Sequence, residues 1–391
     1  MRLKLKLTCL TALVLGGCMT QPKQLNTVPK IETQVIESDD SRAVNSTAEG
    51  SIPADEVVSE MISSTYHSLA NSIDAYLVDQ KFNGVTLVAS EGEIILLKGY
   101  GLANVAEQEE MSVNHQFHIA SVSKSFVAVS ILQLVEAGKI TLDQTIDQYF
   151  PDMLNADRIT IHQLLTHTSG LYSGDDLTNY SKLTTVDEII APAFKASNLY
   201  YEEPGTYSIY SNLGYDVLGA IIEQVSGQPY EEYLQEHILD PVGMTYSGLN
   251  TSGELLEALA TAYNGNIAEG DEAAVLHPSF GYSSGGLHST AMDLYKYDRA
   301  LQNNTLISQE SYDLMTQEYT KIGNKPYGYG WYVNTGVENT VSHTGNLIGW
   351  HSMLLRHQED KVTVILLTNH DESDMYMSYN IARLVLSELD S

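Results

Sequence analysis

Short apolar runs lie near both ends of the chain, and helical spacing fills the middle. Leu69, Ile73, Tyr76 and Leu77 are spaced by four, three and one, which predicts a helix beginning near Ser63. Val85–Ala89 and Ile94–Leu97 flank the turn residues Ser90-Glu-Gly-Glu93, the pattern of a β-hairpin. Phe126, Val127, Val129, Ile131, Leu132, Leu134 and Val135 predict an almost wholly apolar helix that stops at Gly138. Thr160–Thr166 and Thr185–Lys195 read as short helices. Asn212–Val225 reads as a long one closing at Gly227, and Pro229 suits the first position of the next. Residues 246–280 read as irregular. Ser289–Leu301 is an amphipathic helix pattern, and Met377–Leu389 a closing helix. Tyr327–Val333, Ser352–Leu355 and Val362–Leu367 read as strands.

Strands at both ends with helices between them predict an α/β architecture. A central antiparallel sheet, flanked by helices, would form from about residues 63–115 and 281–391. A mostly helical region, about 121–280, would be inserted between those halves. The cleft between sheet and insert is the natural place for a site, with residues 172–200 and 246–280 lining it.

Composition narrows the partners. There are 20 Lys+Arg against 50 Asp+Glu, a formal charge of −30. Phosphate contacts need basic patches, so nucleic-acid binding is excluded as an expectation. Both cysteines, Cys9 and Cys18, fall in the first twenty residues, so the rest of the chain has neither a disulfide nor a thiol nucleophile. Arg2, Lys4 and Lys6 precede the short apolar run Leu7–Leu15, the pattern of a leader over residues 1–17. Leu15-Gly-Gly-Cys18 resembles a bacterial lipobox, which implies cleavage before Cys18 and its lipidation. Met19 in the next position resembles an outer-membrane address, so the implied place is the cell envelope, facing the periplasm. Acyl chains on Cys18 would hold the bilayer, at about 0.8 kcal/mol per buried CH₂. Residues 18–62 are polar without periodicity, a tether of roughly 35 Å mean span. The catalytic body is then 63–391.

Candidate chemistry centres on His118-Ile-Ala-Ser-Val-Ser-Lys-Ser-Phe126. Ser121 and Lys124 stand three apart at the start of a helix, on one face. A serine needs a base to become a nucleophile, and burial or a helix N-terminus makes a lysine a better one. Free N–H groups at the helix start can stabilise an oxyanion. Alternatively, Ser121 is only an N-cap. Tyr210 and Asn212 form Y-x-N ahead of the long helix, where a phenol could move protons and an amide could accept from Lys124. The plainer alternative there is a Pro-Gly turn capped by Ser211 or Asn212. Ser342-His-Thr-Gly-Asn346 falls between two predicted strands. Gly345 would let a substrate backbone lie close, and an N–H near Asn346 could complete an oxyanion hole.

A rival nucleophile is Ser283 in Gly281-Tyr-Ser-Ser-Gly285, but a polar, irregular stretch precedes it rather than the buried strand an α/β-hydrolase elbow needs. No H-E-x-x-H occurs, and the pairs His115/His118 and His162/His167 are too loose for a metal site. No metal and no cofactor are expected.

Ser121-x-x-Lys124, Tyr210-x-Asn212 and His343-Thr-Gly345, in that order, resemble the serine β-lactamase and penicillin-binding superfamily. They are most similar to its class C β-lactamase-related group, which includes D-Ala-D-Ala peptidases, D-amino-acid amidases and family-VIII esterases. Leu164–Leu171, Gly285-Gly-Leu287 with Thr290, and Leu367-Thr-Asn369 support the resemblance, which spans about residues 65–388. It implies that Ser121 is acylated, that Lys124 helps deprotonate it and that Tyr210 is acid to the leaving group, then base for water. It also implies that Asn212 orients substrate and that the Ser121 and Asn346 N–H groups form the oxyanion hole. The implied partner is a small-molecule or peptide substrate. Two departures stand out: Y-x-N replaces S-D-N, and H-T-G replaces K-T-G. An ordinary histidine is only about a quarter charged at pH 7, so His343 fits an ester, amide or modified peptide better than a β-lactam. The alternatives are a β-lactamase or D-Ala-D-Ala carboxypeptidase, and a non-catalytic lipoprotein that binds cell-wall peptides.

Overall fold

Alternation along Val362–Thr368 sends Val364 and Leu366 to one side and Ile365 and Leu367 to the other, and both sides are buried. The computed structural model in which this is seen describes residues 59–171, 184–195, 199, 203–249, 256, 258–274 and 277–390. The leader, Cys18 and nearly all of the tether lie outside these residues, as do large parts of the expected cleft loops.

Nine strands form one antiparallel sheet. From edge to edge these are Met61–Ile62, Glu93–Tyr100, Gly84–Ser90, Val362–Thr368, Trp350–His357, Thr340–Leu347, Tyr332–Val333, Lys325–Tyr327 and Thr320–Ile322. The two ends of the chain therefore meet inside the sheet, where Leu87 pairs with Ile365. Leu69, Ile73 and Leu77 of the first helix (His67–Asp79) cover one face with Ile381 and Val385 of the closing helix (Met377–Leu389). On the other face lies the helix Ser123–Glu136, buried on nearly every side, with the helical region beyond it. That two-sided burial explains why its sequence is apolar all round.

The structure corrects several expectations. Tyr327–Val333 is not one strand, because Gly328–Trp331 interrupts it. Gly330 has φ +73°, and a Cβ there would stand 2.8 Å from the Lys124 carbonyl oxygen. The strand yields so that the loop can pack on the Lys124 turn. Ser342–Asn346 lies within the strand Thr340–Leu347 rather than between strands. Its alternation is hidden because its buried side chains are polar: Ser342 meets the Tyr379 hydroxyl at 3.3 Å, and His343 meets that of Tyr327. Ser289 ends a short strand, and the following helix is Ala291–Gln302, capped by the Thr290 hydroxyl. Pro229 is the N-cap, not the first residue, of Tyr230–Leu234.

One buried ion pair joins that capped helix to the sheet. Arg356 Nε donates to Asp298 Oδ1 at 2.6 Å, with both side chains sealed from solvent. Asp298 Oδ2 also accepts from Gln302 Nε2 at 2.7 Å and from the Thr363 hydroxyl. Removing one member of such a pair strands the other charge. Asp298→Ala should therefore lower the unfolding free energy by about 3–5 kcal/mol in urea titration. A loss below about 1 kcal/mol would contradict this account of the pair.

Candidate active site

Ser121 sits in a tight 3-10 turn, Ala120–Val122, that leads straight into Ser123–Glu136. The turn is set by Ala120, a non-glycine residue at φ +46°, a conformation that costs of order 1–3 kcal/mol and needs its surroundings to impose it. Those surroundings are in place. The Ile119 N–H donates to the Leu287 carbonyl at 2.9 Å, and the Ile119 carbonyl accepts from the Ser352 hydroxyl at 2.7 Å. Gly345 closes the packing, since a Cβ there would stand 2.1 Å from the Ile119 oxygen. The space a side chain would take is thus filled by the turn before Ser121 rather than left open for a substrate backbone.

Lys124 is fully buried. Its Nζ lies 3.2 Å from Ser121 Oγ, 2.7 Å from Asn212 Oδ1 and 2.7 Å from the Ser284 carbonyl oxygen. An ammonium has three donors, and here it finds three acceptors. The same Nζ lies 4.8 Å from the centre of the Tyr210 ring. Ser121, Lys124, Tyr210 and Asn212 therefore stand together. Asn212 is the first residue of the helix Asn212–Ser226, and Ser211 is its cap, accepting from the Gly214 N–H at 3.0 Å. The cap and the site coexist on neighbouring residues.

Two residues with no role assigned from sequence shape this pocket. The His167 carbonyl accepts from the Ile209 N–H and its Nδ1 accepts from the Ser211 N–H, each at 3.0 Å. These bonds grip the chain on both sides of Tyr210, whose ring lies 4.4 Å from the imidazole, centre to centre. The block Leu164–Leu171 that contains His167 was visible in the sequence; its grip on a residue forty positions away was not. Asp216, one turn beyond Asn212, accepts from the Ser284 N–H at 3.1 Å.

His343 faces the pocket from the sheet, 6.3 Å from the Tyr210 ring between centres. Its Nδ1 donates to the Thr344 carbonyl at 2.7 Å, so its Nε2 accepts from the Tyr327 hydroxyl at 3.1 Å. Burial, with Lys124 adding to it, pushes its pKa down to about 3. The expected quarter charge at pH 7 is thus corrected to none. Along the strand Thr340–Leu347, Tyr332–Val333 pairs with Val341 and Ser342 and reaches no further. From His343 to Asn346 that edge of the strand has no strand partner among the described residues, and Asn346 itself is exposed. Such an edge can receive an extended ligand.

The rival Ser283 is fully buried, and its hydroxyl donates to the Tyr215 carbonyl at 3.0 Å. It packs where Gly219 lacks a side chain. Asn369 bonds the carbonyls of Leu102, Ala103 and Thr261, a structural staple. His162 bonds the Tyr329 hydroxyl at 2.8 Å, and His115 Nδ1 accepts from the Ser112 N–H at 2.9 Å. Among the described residues no group of three or more His, Cys, Asp or Glu is placed to hold a metal ion, and no helix is long and apolar enough to cross a membrane.

A serine and a buried lysine in contact, a phenol beside them and a sheet edge alongside define a hydrolase of the serine β-lactamase and penicillin-binding class. The Beta-lactamase family model matches residues 69–387, and the chain belongs to that family. It is 31% identical over 297 residues to the "Putative penicillin-binding protein PbpX" of Bacillus subtilis (strain 168), covering 76% of this chain and 73% of the relative. It is also similar to the octameric penicillin-binding protein homologue from Pyrococcus abyssi, with TM-score 0.72 and 28% identity over 82% of this chain and 77% of that one. A third similarity is to D-amino acid amidase from Ochrobactrum anthropi SV3, with TM-score 0.73 and 25% identity over 84% and 99%.

The buried histidines link this region to pH. Burial lowers the pKa of His118 and of His288 to about 4, His343 falls to about 3 and His167 lies well below 6.5. All four take up a proton more readily when unfolded, so their stabilisation is complete above pH 6.5 and is lost as pH falls below it, for His118, His288 and His343 on towards pH 3 to 4. Each should cost about 1.4 kcal/mol per pH unit below 6.5. Urea unfolding at pH 7.5 and pH 5 checks this, and equal stability at both values would refute it.

Proposed function

We propose that the chain is a secreted, lipid-anchored serine hydrolase that works through an acyl-enzyme on an ester, amide or D-amino-acid peptide bond. The observation that carries this is Lys124: fully buried, 3.2 Å from Ser121 Oγ and held there by Asn212 and the Ser284 carbonyl. Neutral Lys124 takes the proton as Ser121 Oγ attacks the carbonyl carbon. The oxyanion is met by N–H groups at the Ser121 turn and at Asn346 on the free sheet edge. Tyr210 protonates the leaving group, and after it departs the same phenolate draws a proton from water, which attacks the acyl carbon; the Ser121 oxygen then leaves and takes back the proton held by Lys124. Asn212 orients both Lys124 and the substrate.

His343 favours an uncharged or modified acyl donor. With its ring neutral and bonded to Tyr327, it offers no fixed cation for a substrate carboxylate. The similarity to a D-amino acid amidase supports amides within that range, while the penicillin-binding relatives keep cell-wall peptides and β-lactams as the second reading. Lipid anchoring rests on Leu15-Gly-Gly-Cys18 alone. The proposed place is the bacterial envelope, on the periplasmic side of the outer membrane.

Intact-mass measurement after incubation with a fluorophosphonate should show one adduct in the wild type and none in Ser121→Ala. Turnover of p-nitrophenyl esters and D-amino-acid amides should fall at least 1000-fold in that variant. Retained turnover would remove Ser121 as nucleophile. A lasting penicillin adduct would shift the reading to a cell-wall peptidase, and no adduct with either reagent would leave a non-catalytic binder. Cys18→Ser should move the full-length protein from the membrane fraction to the soluble fraction; persistence in membranes would disprove the anchor.

A further inference from the structure

Behind the amine of Lys124 lies a buried carboxylate that the acyl-enzyme steps do not use. Asp216 is 4% exposed and sits four residues after Asn212, on the same face of the helix. Its Oδ1 accepts from the Ser284 N–H at 3.1 Å, while the carbonyl of that same residue accepts from Lys124 Nζ at 2.7 Å. One residue of chain thus separates the carboxylate from the amine. The Ser283 and Ser284 hydroxyls donate to the Tyr215 and Gly281 carbonyls, and their nearness favours the ionised carboxylate.

We propose that Asp216 is a positioning residue that sets the protonation of Lys124, acting as the counter-charge against which the amine gains and loses its proton. This rests on the reading of Lys124 as the base. A negative Asp216 holds Lys124 as the ammonium, which cannot accept a proton from Ser121. The pair must release one proton before Lys124 is a free amine. Asp216 thereby fixes the pH at which the site becomes competent.

The neighbours leave this role to Asp216. From Ser123–Glu136 the facing charged group is Lys124. From Tyr282–Gly285 come Ser283, Ser284 and Tyr282, and the Tyr282 phenol is held neutral by burial, with Glu223 and Asp216 adding to it. On the helix of Asp216 itself stands Glu223, whose Oε1 is occupied by the Tyr282 hydroxyl at 2.7 Å and the Tyr230 N–H at 3.0 Å. On the far side of Lys124, His167 and His343 are kept uncharged by burial. Burial raises the Asp216 pKa to about 7, against the pull of its hydrogen bonds and of Lys124. Its burial thus brings the carboxyl close to neutral pH.

The test is Asp216→Asn, which keeps an oxygen for the Ser284 N–H and removes the charge. The rising low-pH limb of kcat/KM on a neutral ester should move to lower pH by about 1–3 units. Asp216→Glu, which restores the charge, should bring it back. A limb that stays in place or moves up overturns the proposal, because a merely structural carboxyl would change the amplitude without shifting the limb. The wild-type protein offers a second readout if the variant does not fold. With 13C at aspartate Cγ and lysine Cε, one aspartate and one lysine should respond together near neutral pH. An Asp216 that ionises near the ordinary 3.9, with no response of the Lys124 carbon to it, also overturns the proposal. If Ser121→Ala keeps its turnover, the serine mechanism fails, yet the linked titration of Asp216 and Lys124 is still decided by this spectrum.

Discussion

A primary amine sealed from water constrains everything around it. Unpaired, a buried ammonium costs several kcal/mol. Lys124 avoids that cost through Ser121 Oγ, Asn212 Oδ1 and the Ser284 carbonyl, which come from three separate stretches of chain. Asp216 then balances the charge through Ser284. The fold is thus held at this point by the same bonds that prepare the chemistry. A disturbance in any one stretch is felt at Ser121.

Close approach of backbone to backbone is the second layer of that constraint. Gly330 lets its loop rest against the Lys124 carbonyl, and Gly345 lets the sheet press on the Ile119 carbonyl. Between these two contacts, Ala120 is held at φ +46°. A strained residue persists only where its surroundings leave it no alternative. Here a sheet edge on one side and the Gly285–Leu287 segment on the other supply that confinement. The turn that carries Ser121 is consequently stiff, and the serine is aimed rather than free to search.

Electrostatically the pocket is spare. His167 and His343 flank the lysine, and burial keeps both uncharged. They act through shape and hydrogen bonds: His167 grips the segment of Tyr210, and His343 accepts from Tyr327. A site of this kind recognises a reacting carbonyl through a sheet edge more than it recognises a substrate's charge. That distinguishes it from a pocket built around a second lysine.

The amino-acid sequence determined the parts of this protein whose signal is local. The hairpin 84–100, the apolar helix after Ser121, the long helix ended by Gly227 at φ +77° and the closing helix all follow from periodicity and capping. Ser121-x-x-Lys124 and Tyr210-x-Asn212 were legible because each sets its candidate residues within one turn of chain. Tertiary structure alone decided what depends on distant partners. The strand Thr340–Leu347 has no apolar alternation, since polar partners from elsewhere bury its side chains. Tyr327–Val333 breaks because a turn two hundred residues earlier needs the space. The protonation of His343, the grip of His167 and the place of Asp216 behind Lys124 are likewise properties of an environment. A residue type fixes what a group can do, but its solvent exposure and neighbours decide which charge it carries, and those exist only once the chain has folded.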